Sequence, residues 1–257
     1  MGMVPEASRG GRSWPAGRLA GRPGGGENPG AMSDNLPECI EVPAPGEHRW
    51  SVIWLHGLGA DGRDFEPIVP ELRLPSDHGV RFVFPHAPER SVTVNGGMRM
   101  RAWYDIAGVD LASKEDEDGI RDSTEIVEAL IAREKELGVP AARIVLAGFS
   151  QGGAVALHAG LRHAERLGGI MALSAYLLLA DRLEDEMSAG NRLTSIFQAH
   201  GEQDPVVPME LAAYSRDRIG AVRPVPEWHT YSMGHSVCGE EIGDIRKWLV
   251  DTVGVGQ

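Results

Sequence analysis

The sequence predicts an α/β fold in which a mostly parallel sheet carries helices on both faces. Three observations predict it. From residue 38 onward, short apolar runs of strand length alternate with longer segments of helical period, the pattern of strands joined by helical crossovers. Runs such as "SVIWL" at 51–55 and "VRFVF" at 80–84 are apolar almost throughout, which suits strands buried on both sides. A chain of 257 residues with 42% hydrophobic and 24% charged residues has the length and composition to close a full globular core.

The elements follow in order. Residues 39–42 read as an edge strand closed by Pro43 and Pro45. The runs at 51–55 and 80–84 are buried strands, ended by "HGLG" and "PHAP". More than thirty residues then pass before the next helix, a length expected of a functional loop or lid, or of a surface excursion with its own small core. Within it, "NGGMRMRAWYDI" brings Met98, Met100, Trp103 and Tyr104 close together as candidate walls of an apolar substrate pocket. Residues 120–137 place Ile120, Ile126, Val127, Leu130, Ile131 and Leu137 at helical spacing, and Gly138 stops the helix. A strand at 143–147 and a small-residue helix at 152–161 come next. Strands at 169–173, 195–199 and 227–231 and helices at 209–219 and 240–250 complete the alternation. No internal repeat is present.

Composition excludes several classes of partner. A net charge of −12 argues against nucleic acid or an anionic lipid surface as the main partner. The longest apolar stretch, "IMALSAYLLLA" at 170–180, is too short for an integral membrane helix. Cys39 and Cys238 form neither a disulfide framework nor metal-ligand spacing, and suit a reducing cytoplasm. No clustered His and Asp spacing points to a metal. Residues 1–37 read as an N-terminal extension, and 38–257 as the α/β domain. Positions 1–31 are rich in Gly, Pro and Arg, lack the apolar core of a secretory signal, and are expected to be disordered and dispensable. Met32 reads as the more natural start.

The chemistry centres on "RIVLAGFSQGGAVALHAG" at 143–160, where a strand pattern becomes a helix pattern across Gly148, Phe149 and Ser150. Residues 148–152 fit G-x-S-x-G, a sharp strand-to-helix turn that exposes a serine nucleophile. A serine hydroxyl needs a base to take its proton and an acid to orient that base. On such an elbow the chain order is Ser, then Asp or Glu, then His, each beyond a strand. Ser150, Asp204 in "EQDPVVP" and His235 after "EWHTYSMG" satisfy it. Glu202 competes with Asp204, and Asp181 and Asp185 are more distant candidates. His229 lies inside an expected strand, His200 ends one, and His158 and His163 accompany the helix after the serine, so His235 is the preferred base. The oxyanion donors are expected to be the backbone N–H groups of Gln151 and of Leu58, the latter within the glycine turn "HGLG".

Together, "LHGLGADGRDF" at 55–65, "FPHAP" at 84–88, "RAWYDI" at 101–106, "GFSQGGAVAL" at 148–157, "HGEQDPVVP" at 200–208 and "YSMGHSV" at 231–237 resemble the phospholipase/carboxylesterase family. The resemblance spans residue 38 to the end. It implies an α/β-hydrolase fold with little or no cap domain, hydrolysis of esters or thioesters without a cofactor, and the homodimer that is frequent in the family. It assigns Ser150, Asp204 and His235 to the catalytic triad, and Leu58 and Gln151 to the oxyanion hole. The resulting expectation is a carboxylesterase acting on small-molecule esters of short to medium acyl chains. Acyl-protein thioesterase and lysophospholipase are the enzymatic alternatives, and a catalytically dead hydrolase fold used for binding is the non-enzymatic one. A dienelactone hydrolase would place cysteine where this chain has Ser150.

Overall fold

The computed structural model describes residues 36–108 and 114–254. The expectations for the first 35 residues therefore lie outside the described residues. The order along the chain is β1 (Cys39–Val42), β2 (Trp50–Leu55), α1 (Ile68–Glu71), β3 (Val80–Pro85), β4 (Glu89–Val92), β5 (Met98–Arg101), α2 (Glu117–Glu136), β6 (Ile144–Phe149), α3 (Gln151–Arg162), β7 (Gly169–Leu173), α4 (Leu183–Glu186), β8 (Ile196–Gly201), α5 (Met209–Val222), β9 (Glu227–Tyr231) and α6 (Gly239–Val253). Seven strands form one sheet in the order β1-β3-β2-β6-β7-β8-β9. Among the described residues of this sheet, only the edge strand β1 runs antiparallel, against β3; the other pairs are parallel.

Both faces of the sheet are covered, which is why its central strands are apolar at consecutive positions. Ile53, Leu55, Ile144, Leu146 and Ile170 pack on one side with Ile120, Val127, Leu130 and Ile131 of α2 and with α3. Val52, Trp54, Phe82, Phe84, Val145 and Phe197 pack on the other with Ile245, Trp248 and Leu249 of α6. Successive residues of β2 thus enter opposite cores, as the two-residue period of a strand requires. Among the described residues, no helix is long and apolar enough to cross a membrane.

Two differences from the sequence reading have clear physical causes. Helix α2 starts at Glu117, ahead of its first apolar residue, because Asp116 caps it by accepting a hydrogen bond from Gly119 N–H. Hydrophobic periodicity registers only the buried face and so misses a polar first turn. The long connection after β3 is not without regular structure: β4 and β5 pair as an antiparallel hairpin. Its turn uses Gly96 and Gly97 at φ 68° and 78°, a left-handed conformation that glycine adopts without steric cost.

At the end of β6 the chain turns through Ser150, whose φ of 54° and ψ of −122° are strained for a residue with a Cβ. Ser150 N–H is held by Leu173 O at 2.8 Å. The flanking glycines permit contacts of backbone on backbone. A Cβ on Gly148 would overlap the carbonyl of Gly152, and one on Gly152 would overlap the carbonyl oxygens of Leu55 and His56. Backbone atoms have little room to yield, so Gly152→Ala is expected to cost about 1–3 kcal/mol. That corresponds to a melting temperature lower by roughly 2–10 °C for a domain of this size. Thermal denaturation followed by circular dichroism checks this, and an unchanged melting point contradicts it.

Candidate active site

Three loops at the C-terminal ends of parallel strands bring the expected residues together. Ser150 follows β6, Asp204 follows β8, and His235 follows β9. His235 Nε2 lies 2.9 Å from Ser150 Oγ, and His235 Nδ1 lies 2.7 Å from Asp204 Oδ2. The carboxylate is an acceptor only, so it fixes Nδ1 as the protonated nitrogen and leaves Nε2 free to accept the serine proton. Asp204 is oriented in turn by its own loop. Its Oδ1 accepts the backbone N–H groups of Val206 at 2.8 Å and Val207 at 2.9 Å. The Asp204 side chain is fully buried, whereas His235 keeps 17% of its surface exposed. Phe149 packs on His235, with ring centroids 4.7 Å apart.

The competing residues fall elsewhere. Glu202 is exposed and accepts from Thr230 Oγ1 at 3.3 Å. Asp181 and Asp185 are exposed beyond β7. His229 lies in β9 beside Glu227. His158 and His163 flank the buried side of α3, and burial brings the pKa of His158 down to about 4. His200 ends β8 and donates through Nε2 to Val207 O at 2.8 Å, clamping the turn that carries Asp204. Its burial lowers its pKa, which keeps it neutral beside the acid.

The two expected oxyanion donors come from different parts of the chain, the start of α3 and the loop after β2. Gln151 is the first residue of α3, where backbone N–H groups have no partner within the helix. Leu58 follows Gly57, where a Cβ would stand in ordinary contact with Ser150 Cβ, 3.5 Å away, so the turn lies beside the serine. Among the described residues, neither N–H donates to a backbone carbonyl outside the regular elements.

The four candidate pocket residues are not gathered into one wall. Met98 points outward from the hairpin with 64% of its surface exposed. Met100 accepts from Asn95 Nδ2 at 3.2 Å through its sulfur. Trp103 is fully buried and Tyr104 is 2% exposed. A buried indole N–H needs an acceptor. Trp103 Nε1 finds His56 O at 2.9 Å, and the Tyr104 hydroxyl meets that of Tyr176 at 2.9 Å. Elsewhere, in the region following β7 and along α5, Leu177, Leu179, Leu211 and Tyr214 line a cavity of about 370 Å³ edged by Glu115, Glu117, Asp181 and Arg182. The sequence reading places the pocket at Met98, Met100, Trp103 and Tyr104 and does not extend it to these residues.

A family model described as Phospholipase/Carboxylesterase matches residues 38–253. Acyl-protein thioesterase 1 of Neurospora crassa is 41% identical over 219 residues, covering 82% of this chain and 89% of that one. Acyl-protein thioesterase 1 of Yarrowia lipolytica is 39% identical over 220 residues, covering 84% and 97%. Among solved structures, SOBER1 of Arabidopsis thaliana superposes with a TM-score of 0.76 at 28% identity, covering 80% of this chain and 99% of that one. Acyl-protein thioesterase 2 of Zea mays gives 0.75 at 27% identity, covering 85% and 100%. The fold shared with them is the α/β-hydrolase fold.

Proposed function

The chain belongs to the phospholipase/carboxylesterase family, and on that premise we propose that it is a serine hydrolase of acyl thioesters and carboxylic esters. Ser150 is the nucleophile, His235 the base, Asp204 the acid that orients it, and Leu58 and Gln151 the backbone donors to the oxyanion. The observation that carries this reading is the hydrogen-bonded relay from Asp204 through His235 to Ser150. Ser150 Oγ attacks the acyl carbonyl while its proton passes to His235 Nε2. The carbonyl oxygen becomes an oxyanion between the two N–H groups. As it re-forms the carbonyl, the bond to sulfur or oxygen breaks, and the leaving group takes the proton from His235. Water repeats the sequence on the acyl-enzyme, releasing the acid and restoring Ser150.

For the substrate, the acyl-protein thioesterase reading stands ahead of the small-ester one. The relatives at about 40% identity carry that name. Leu177, Leu179, Leu211 and Tyr214 give the cavity apolar side chains, with Glu115, Glu117, Asp181 and Arg182 at its edge. Hydrolysis rates on S-acyl peptides and p-nitrophenyl esters of matched short, medium and long acyl chains test this order. The expected result is a higher kcat/KM on the thioester of each pair, rising with chain length. A uniform preference for short-chain esters would restore the small-ester reading, and no turnover of either class would remove the hydrolase reading.

A further inference from the structure

We propose that the side-chain amide of Gln151, the Arg101 to Tyr104 segment and His56 form a brace that fixes the two oxyanion N–H groups relative to each other. This makes the Gln151 side chain, Trp103 and His56 positioning residues. The proposal rests on the serine-hydrolase reading above.

The brace is continuous from one donor to the other. Gln151, whose backbone N–H is one of the two assigned donors, turns its side chain, 2% exposed, to the segment after β5. There Oε1 accepts Trp103 N–H at 2.8 Å, and Nε2 donates to Tyr104 O at 2.8 Å. Both halves of the amide are thus used, so the group has one orientation. The same tryptophan reaches the other donor's loop, its indole N–H donating to His56 O at 2.9 Å. Two residues earlier, Arg101 O accepts Gly59 N–H at 2.8 Å. The loop carrying Leu58 is therefore held on both sides by one short segment.

His56 acts on the donor peptide itself. Its Nε2 accepts Ala87 N–H at 3.0 Å, which makes Nδ1 the protonated nitrogen, and Nδ1 donates to Gly57 O at 2.7 Å. That carbonyl belongs to the peptide unit whose N–H is Leu58. In a trans peptide the C=O and N–H point in opposite directions within one plane. A bond that holds Gly57 O therefore aims Leu58 N–H. Burial brings the pKa of His56 down to about 4, so the ring stays neutral and keeps this tautomer at neutral pH. The arrangement is costly to build from buried polar groups and is fully satisfied, which suits a role in holding geometry.

Gln151→Met keeps side-chain length and the backbone N–H but removes both amide bonds. Trp103→Phe cuts the brace at its other end. Titration with a fluorophosphonate counts competent sites, so kcat is referred to labelled enzyme and a loss of folded protein does not register. Each variant is expected to lose about tenfold or more in kcat per labelled site, a fraction of the roughly 10²–10³ that removal of a whole oxyanion donor costs. KM should stay within about twofold. Affinity for a trifluoromethyl ketone, which forms a tetrahedral oxyanion on the serine, should fall by the same factor as kcat/KM. A kcat per labelled site close to wild type in either variant would overturn the brace while leaving the hydrolase reading intact. So would failure of both variants to give any labelled protein, because the network would then be serving the fold. Absence of labelling in the wild-type protein would instead sink the serine-hydrolase reading itself.

Discussion

Replacing Ser150 with alanine is expected to lower ester and thioester turnover by about 10⁴–10⁶-fold while leaving the fold in place. Two structural facts support both halves of that statement. The Ser150 hydroxyl is hydrogen-bonded to His235 and to no other described group, so its loss breaks no other hydrogen bond among the described residues. The strain at φ 54° is a backbone property that alanine shares with serine. What disappears is the covalent route, and what remains is binding together with the oxyanion donors. His235→Ala should cost nearly as much, and the double variant little more than either alone, because the two groups act as a unit. Turnover of a p-nitrophenyl ester, with circular dichroism as the check on folding, measures this. Near-wild-type hydrolysis by Ser150→Ala would contradict it.

Asp204→Asn is the second large effect, expected near 10⁴-fold in kcat. The amide cannot satisfy both of the carboxylate's duties. Its oxygen must face Val206 and Val207 N–H, at 2.8 and 2.9 Å in the wild type, because an NH₂ there would oppose two donors. The NH₂ then faces His235 Nδ1, which has to become an acceptor. The proton moves to Nε2, and the histidine can no longer take the proton of Ser150. The variant should therefore fold, keep its loop, and fail as a catalyst. A loss smaller than about tenfold would show that His235 does not depend on Asp204 for its tautomer.

Much of the fold was legible because a strand covered on both sides leaves a run that can hardly be read otherwise. Strand 169–173, buried at every position, is such a run and matches the sequence reading to the residue; 227–231 matches as well, although it is an edge strand with only Tyr231 buried. The elbow was legible because close backbone packing demands Gly148 and Gly152 around Ser150. The positions of Asp204 and His235 followed from strand ends and chain order, and the geometry brings both into line with Ser150. The segment from 89 to 106 was far less legible. Its hairpin pairs only with itself, so no core pattern announced it. The side chains of Trp103 and Tyr104 read as candidate pocket walls because size and apolarity alone do not say which way a loop residue faces. Their burial is set by partners distant in sequence, His56 for the indole and Tyr176 for the phenol. The Gln151 amide was passed over for the same reason, since the motif treats its position as any residue.

The central claim is that Ser150 is the nucleophile of a serine hydrolase. Mass spectrometry of the protein after reaction with a fluorophosphonate, followed by peptide mapping, tests it most directly. The account predicts one adduct per chain, located on Ser150, forming in parallel with loss of ester hydrolysis and no longer forming at a measurable rate in His235→Ala. An unmodified Ser150 in protein that still hydrolyses esters, or an inactivating adduct on another residue, would contradict it.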